Sequence, residues 1–209
     1  NQPLPPEEYD TVSRPDLLQT IQFTAPSPFA YVGGSVVIRG QLDLPDLQYY
    51  QLSYGQGLDP SSWIDITGRE VGYSPDAPLG EWDTDGLDGL YTLLLVAVAT
   101  DNTYESEAIQ VTVDNVAPSI TLTTEAPDDG YQFPRDESIV IHATAADNLA
   151  VARVEFFRDG DPLGADEAYP FGLEWRIESA GEETFTAVVY DQVGNSAQAE
   201  IRIAIGRSS

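Results

Sequence analysis

The sequence predicts an all-β protein built as two sandwiches in tandem, and three observations predict it. Strand signals recur along the chain, while no stretch sustains the 3.6-residue period of an amphipathic helix. These signals appear in one order, break at Val111-Thr-Val-Asp-Asn-Val-Ala-Pro-Ser-Ile-Thr-Leu122, and then return in the same order. Divided at that break, the 209 residues give two units of roughly a hundred each, enough for one small core apiece.

Taken in order, Asn1 to Thr20 is Pro-rich and acidic and reads as a connector (residues 1–20). The first unit, residues 21–115, follows with Ser35-Val-Val-Ile-Arg-Gly-Gln-Leu42, Tyr49-Tyr-Gln-Leu-Ser-Tyr54, Tyr91-Thr-Leu-Leu-Leu-Val-Ala-Val98 and Ala108-Ile-Gln-Val-Thr-Val113. All are apolar or alternating, rich in β-branched and aromatic residues, and bounded by Gly, Pro, Asp and Asn. The second unit, residues 116–206, repeats the series with Ser138-Ile-Val-Ile-His-Ala-Thr-Ala145, Val151-Ala-Arg-Val-Glu-Phe-Phe157, Thr184-Phe-Thr-Ala-Val-Val-Tyr190 and Ala199-Glu-Ile-Arg-Ile-Ala-Ile205. Single residues pair as well: Trp82 precedes Tyr91 much as Trp175 precedes Phe185. About seven short strands per unit with frequent turns is the pattern of an immunoglobulin-like β-sandwich. Between the units, Asp114-Asn115 ends a strand and Pro118 biases Ala117 to an extended conformation, so the connection is expected to be short and stiff.

Composition restricts partners. The chain carries 35 acidic and 9 basic residues, a net charge of -26, yet 42% of it is hydrophobic. It can therefore build cores and is not a disordered acidic tail. Cysteine is absent, which excludes disulfides and thiolate metal sites. Every basic residue is an Arg and they are scattered, so nucleic acid is a poor partner. The longest apolar run, Leu93 to Ala99, is far shorter than the ~20 residues of a membrane helix, so no membrane span is expected in this chain. A chain that opens at Asn1 without Met reads as a processed product or an excised fragment. Its charge should repel anionic polymers at low salt, with screening over ~8 Å at physiological ionic strength.

No catalytic set emerges. His142, the one histidine, stands mid-strand without a nucleophilic Ser or Cys beside it, and reads as a strand-face residue. Asp128-Asp129 and Glu182-Glu183 read as solvated acids in turns rather than as a glycosidase pair. Trp82, Trp175, Tyr91 and Phe185 read as inner-face core aromatics, with Tyr91 in Asp88-Gly-Leu-Tyr-Thr92 placed as a tyrosine corner. The long loop Tyr54-Gly-Gln-Gly-Leu-Asp-Pro-Ser-Ser-Trp63 offers Tyr54 and Trp63 as ligand-binding aromatics, or as rings packed beneath the loop.

One constellation carries metal-binding chemistry, although no loop shows the regular D-x-D spacing of a dedicated calcium motif. In an immunoglobulin-like topology the chain enters each domain at the end where the B–C and F–G loops lie. For the second unit this brings Asp114 and Asn115 toward Asp147 and Asn148 and toward Asp191 and Asn195. Oxygen ligands from three loops suit Ca²⁺, the one cofactor the sequence suggests. The competing reading is that these residues only cap turns through their own backbones.

The ordered series Pro5-Pro-Glu-Glu-Tyr-Asp10, Tyr54 to Trp63, Leu79-Gly-Glu-Trp-Asp-Thr-Asp-Gly-Leu-Asp-Gly-Leu-Tyr-Thr-Leu93, Val111-Thr-Val-Asp-Asn115, Asp147 to Phe157, and Phe185-Thr-Ala-Val-Val-Tyr-Asp-Gln-Val-Gly-Asn195 resembles one family over nearly the whole chain. It resembles the carboxy-terminal tail of bacterial bifunctional (class A) penicillin-binding proteins and, more generally, bacterial surface immunoglobulin-like repeats. The resemblance implies an extracellular module on the outer side of the cytoplasmic membrane, attached to a peptidoglycan glycosyltransferase/transpeptidase. The transpeptidase motifs S-x-x-K and K-T-G do not carry over, because this chain has no Lys. The expected role is a non-catalytic accessory spacer and interaction module whose partners are cell-wall material or another cell-surface protein. The alternative is a structural repeat or subunit of a surface protein, adhesin or filament, with self-association through sheet edges.

Overall fold

The computed structural model describes residues 20–126 and 131–206. All but the last residue of the Pro-rich connector, and the Asp128-Asp129 pair, lie outside these residues. The first unit contains β1 (Ile21–Ala25), β2 (Tyr31–Val32), β3 (Ser35–Leu42), β4 (Leu47–Gln56), β5 (Ile64–Asp65), β6 (Gly80–Asp83), β7 (Gly89–Ala99) and β8 (Tyr104–Val113). The second contains β9 (Ser119–Thr124), β10 (Gln132–Phe133), β11 (Ser138–Ala146), β12 (Val151–Arg158), β13 (Asp161–Asp166), β14 (Gly172–Arg176), β15 (Gly181–Asp191) and β16 (Ser196–Ile205).

Each unit is a sandwich of one three-stranded and one five-stranded sheet. In the first, β1-β3-β6 faces β2-β8-β7-β4-β5; in the second, β9-β11-β14 faces β10-β16-β15-β12-β13. The repeat seen in the sequence is thus a repeat of topology. In both units the leading strand is split. Its first part pairs antiparallel in the small sheet, and its second part crosses over to pair parallel with the final strand. The split adds an eighth strand to the seven expected from sequence. These crossing pieces, β2 and β10, span two residues each, too few to show any period.

Alternation explains the remaining elements. Val36, Ile38 and Leu42 point inward from β3 while Ser35, Val37 and Arg39 point outward, because successive side chains leave opposite faces of a strand. The central strand β7 buries Leu93, Leu95 and Ala97 completely. Its counterpart β15 does the same with Phe185, Ala187 and Val189. Two separate cores result, one in each sandwich.

The aromatic pairs mark corresponding points of the two cores. Trp82 on β6 lies opposite Val36, and Trp175 on β14 lies opposite Ile139. The Trp82 ring packs on Tyr91 at 5.9 Å and on Tyr54 at 5.0 Å, and Trp175 packs on Phe185 at 6.2 Å. Tyr91 is not the corner residue that the sequence suggested. Among the described residues its hydroxyl makes no hydrogen bond, and the ring serves the aromatic cluster instead. The phenols that tie backbone are Tyr50, donating to the Leu79 carbonyl at 3.2 Å, and Tyr73, donating to that of Gly40 at 3.3 Å.

Turn chemistry separates the two units where they differ. Strands β12 and β13 are joined through Asp159 and Gly160, both at positive φ (49° and 92°), the two-residue turn whose twist matches a hairpin. In the first unit the same connection is the long loop after β4, where Pro60 lies so close to Gly55 that a Cβ there would meet it at 2.4 Å.

Because the cores are separate, damage to one should spare the other. Phe156→Ala is expected to destabilise the second sandwich by about 3–5 kcal/mol, the usual cost of truncating a buried Phe. Hydrogen exchange should show β11, β12 and β15 losing protection while β3 and β7 keep theirs. Equal loss in both units would mean that the cores unfold together.

Candidate functional site

Residues 114–118 connect β8 to β9, and the first sandwich keeps hold of the chain beyond its last strand. The Asp114 N–H donates to the Val32 carbonyl at 2.9 Å. The Asn115 side chain then turns back into the first unit. Its Oδ1 accepts the Gly34 N–H at 2.8 Å, and its Nδ2 donates to the carbonyls of Thr84 at 2.6 Å and Leu87 at 3.0 Å. A Cβ on Gly33 would stand 2.6 Å from the Asp114 carbonyl oxygen, so this approach requires glycine. With both ends of its amide bonded to the first unit, Asn115 is a structural lock on the joint.

The second sandwich meets this terminus with two loops. Asp191 ends β15, and its Oδ1 accepts the N–H groups of Val193, Gly194 and Asn195 at 2.9, 2.7 and 2.9 Å. Asp147 follows β11, and its Oδ2 accepts the N–H groups of Leu149 and Ala150, both at 2.9 Å. These are turn caps of the kind expected for Asp. Two amides cross between the units. Asn195 Nδ2 donates to the Asp114 carbonyl at 3.1 Å, and Asn148 Nδ2 donates to both carboxylate oxygens of Asp88 at 3.1 Å.

The result is a concentration of negative charge. Asp114 is 0% exposed and Asp191 2% exposed. Burial pushes the Asp114 carboxyl above the ordinary carboxylate range; the Val116 N–H pulls it down, and the charges of Asp191, Asp147 and Asp88 push it up further. Among the described residues no Arg or His forms an ion pair with any of these four acids. Arg153, beside this end of β12, is spent on Glu155 at 2.7 Å and on the face of Tyr190 at 4.0 Å.

Asp114, Asp147 and Asp191 therefore lie within electrostatic reach of one another at the joint, although among the described residues they do not form a ready metal-holding group, and Asn195 and Asn148 act as cross-domain clasps. Asp88 escapes a reading of the sequence because Asp88-Gly89 looks like any other turn. Only the tertiary placement of its loop against the second sandwich reveals it.

The other candidate residues lie elsewhere. Tyr54 is part of the first core's aromatic cluster, whereas Trp63 is 40% exposed. His142 is exposed on β11, with Nε2 3.7 Å from Glu125. Glu182 and Glu183 are not turn residues; both belong to β15. Glu183 is only 7% exposed and pairs with Arg158 at 3.8 Å, whose guanidinium covers the Trp175 ring at 4.5 Å. That group is an intra-domain ion pair roofing the second core.

Comparison with known proteins fits this architecture. Residues 118–187 match the model of the bacterial Ig domain family Big_7. Among solved structures, the fibronectin(III)-like modules of Clostridium thermocellum CbhA superpose with a TM-score of 0.57 at 19% identity, covering 88% of this chain and 93% of that one. Murine CEACAM1b gives a TM-score of 0.46 at 11% identity over 89% of this chain and all of that one. A tetra-tandem repeat from the extending region of a large adhesion protein gives 0.38 at 15% identity, over 88% of this chain and 48% of that one. No curated protein matches the chain. The second unit thus resembles the bacterial Ig domain family over residues 118–187, and both units have an immunoglobulin-like and fibronectin III-like sandwich fold.

The cross-domain amides are expected to fix the relative orientation of the sandwiches. Replacing both in Asn148→Ala/Asn195→Ala should remove about 1 kcal/mol for each amide, since Asn195 loses its bond to the Asp114 carbonyl and Asn148 its two exposed contacts with the Asp88 carboxylate. Small-angle scattering should then show a broader distribution of interatomic distances, with the unfolding midpoint of each sandwich unchanged. An unaltered distribution would mean that the chain connection alone holds the orientation.

Proposed function

We propose that this chain is a non-catalytic, extracellular spacer and interaction module of a bacterial surface protein, and that its parent is a peptidoglycan glycosyltransferase/transpeptidase. The observation that carries the reading is the joint. Two sandwiches of the same topology are connected through residues that the first unit clamps and the second unit caps, an arrangement that transmits position along a chain. The ordered sequence motifs shared with penicillin-binding protein tails support the finer assignment, and the absence of Lys separates this chain from any transpeptidase centre. Among the described residues no helix is long and apolar enough to cross a membrane.

With a charge of -26, contact with the wall has to use neutral glycan, a bridging cation or a basic partner. Co-sedimentation with purified peptidoglycan at low and physiological salt tests this. Saturable retention that survives added salt is the expected result. If the fragment stays in the supernatant throughout, and its mass instead rises with concentration and falls back when residues 1–20 are deleted, the chain is a self-associating structural repeat.

A further inference from the structure

Three carboxylate oxygens at the joint are buried without a hydrogen-bond partner: Asp114 Oδ2, Asp147 Oδ1 and Asp191 Oδ2. They belong to three separate segments: the end of the first sandwich, the loop after β11 and the last residue of β15. Turn capping does not account for them. Asp191 caps with Oδ1 and Asp147 with Oδ2, so in each case the second oxygen is surplus to the turn. Asparagine would cap the same turns without a charge to bury. Buried unpartnered carboxylates are costly, and like charges gathered together add to that cost. A cation that enters among them offsets both.

We infer that the joint binds one Ca²⁺ through Asp114 Oδ2, Asp147 Oδ1 and Asp191 Oδ2, with Asp88 at its mouth, and that the ion stiffens the connection between the sandwiches. The chemistry of the donors selects the ion. They are all oxygens, three carry charge, and they come from irregular loops, which suits a cation taking about 6–8 oxygens in flexible geometry. Softer metals want imidazole or thiolate; the sole histidine, His142, pairs with Thr123 down β11 from the joint, and there is no cysteine. Backbone carbonyls and water complete the shell. Asn115 is not needed in the donor set, since its Oδ1 already accepts the Gly34 N–H and is not among the unpartnered oxygens. Among the described residues no three His, Cys, Asp or Glu side chains are yet gathered as a metal-holding group. Holding one ion would require the three segments to close further, and because they belong to both sandwiches the ion would be a determinant of inter-domain geometry. This inference goes beyond the surface-spacer reading and does not depend on which parent carries the chain.

Calcium titration of the full chain after chelator treatment, followed by calorimetry and thermal unfolding at constant ionic strength, tests the inference. One Ca²⁺ per chain is expected to bind with an affinity in the sub-millimolar to millimolar range typical of extracellular modules, and to raise the unfolding midpoint. Mg²⁺ should act more weakly, since it accepts irregular geometry poorly. Asp114→Asn and Asp147→Asn should each lower calcium affinity at least tenfold. In chelator both should unfold no earlier than wild type, because each removes a repelling charge while retaining an oxygen for its capping bonds. No heat and no midpoint shift up to about 10 mM Ca²⁺, well above that range, would overturn the inference. So would an equal response to NaCl at matched ionic strength, or calcium stabilisation that is identical in wild type and both variants.

Discussion

The complete burial of Asp114, where one sandwich ends and the next begins, is the constraint on which the joint depends. Its backbone belongs to the first unit through Val32, and its carbonyl is claimed by Asn195 of the second. Its carboxylate faces acids from both units and no base. A flexible connector would leave such a residue in water, where a charge costs nothing to keep. Here the close approach of two folded ends takes the water away. Whatever compensates the charge must therefore act on both domains together.

The sandwich topology makes that convergence unavoidable. The final strand of one unit delivers the chain to the end of the next unit where its second and third strands, and its last two, are connected. Asp147 and Asp191 lie in those two connections, and each uses one oxygen to organise its own loop before the joint forms. The loops are consequently ordered by local hydrogen bonds that leave one oxygen of each carboxylate without a partner. Gly33 has the complementary role in the first unit, since its missing side chain admits the Asp114 carbonyl. Elsewhere the acids are mostly solvated, and the surface pairs such as Arg202 with Glu200 contribute little.

The fold was legible because two periods are strong in this sequence: the alternation within strands such as β3 and the recurrence of the whole series after the joint. The short crossing strands β2 and β10 were hidden because two residues carry no pattern. The junction acids could be placed from topology alone, but not the direction in which each side chain points. Asn115 belongs with them in sequence yet serves only the first unit, and Asp88 belongs with them in space yet looks like an ordinary turn residue. Glu183 misled in a similar way, since a doubled acid suggests solvent whereas the strand carries it under Arg158. Tyr91 occupies a tyrosine-corner context, but packing against Trp82 determines its use.

The central claim is that the two sandwiches form one oriented body. Residual dipolar couplings measured on backbone amides of β3 and β7 and of β11 and β15, in the same weakly aligned sample containing Ca²⁺, address it directly. The account predicts that a single alignment tensor fits both sets. Two tensors of clearly different magnitude would show the sandwiches reorienting independently, and would contradict it.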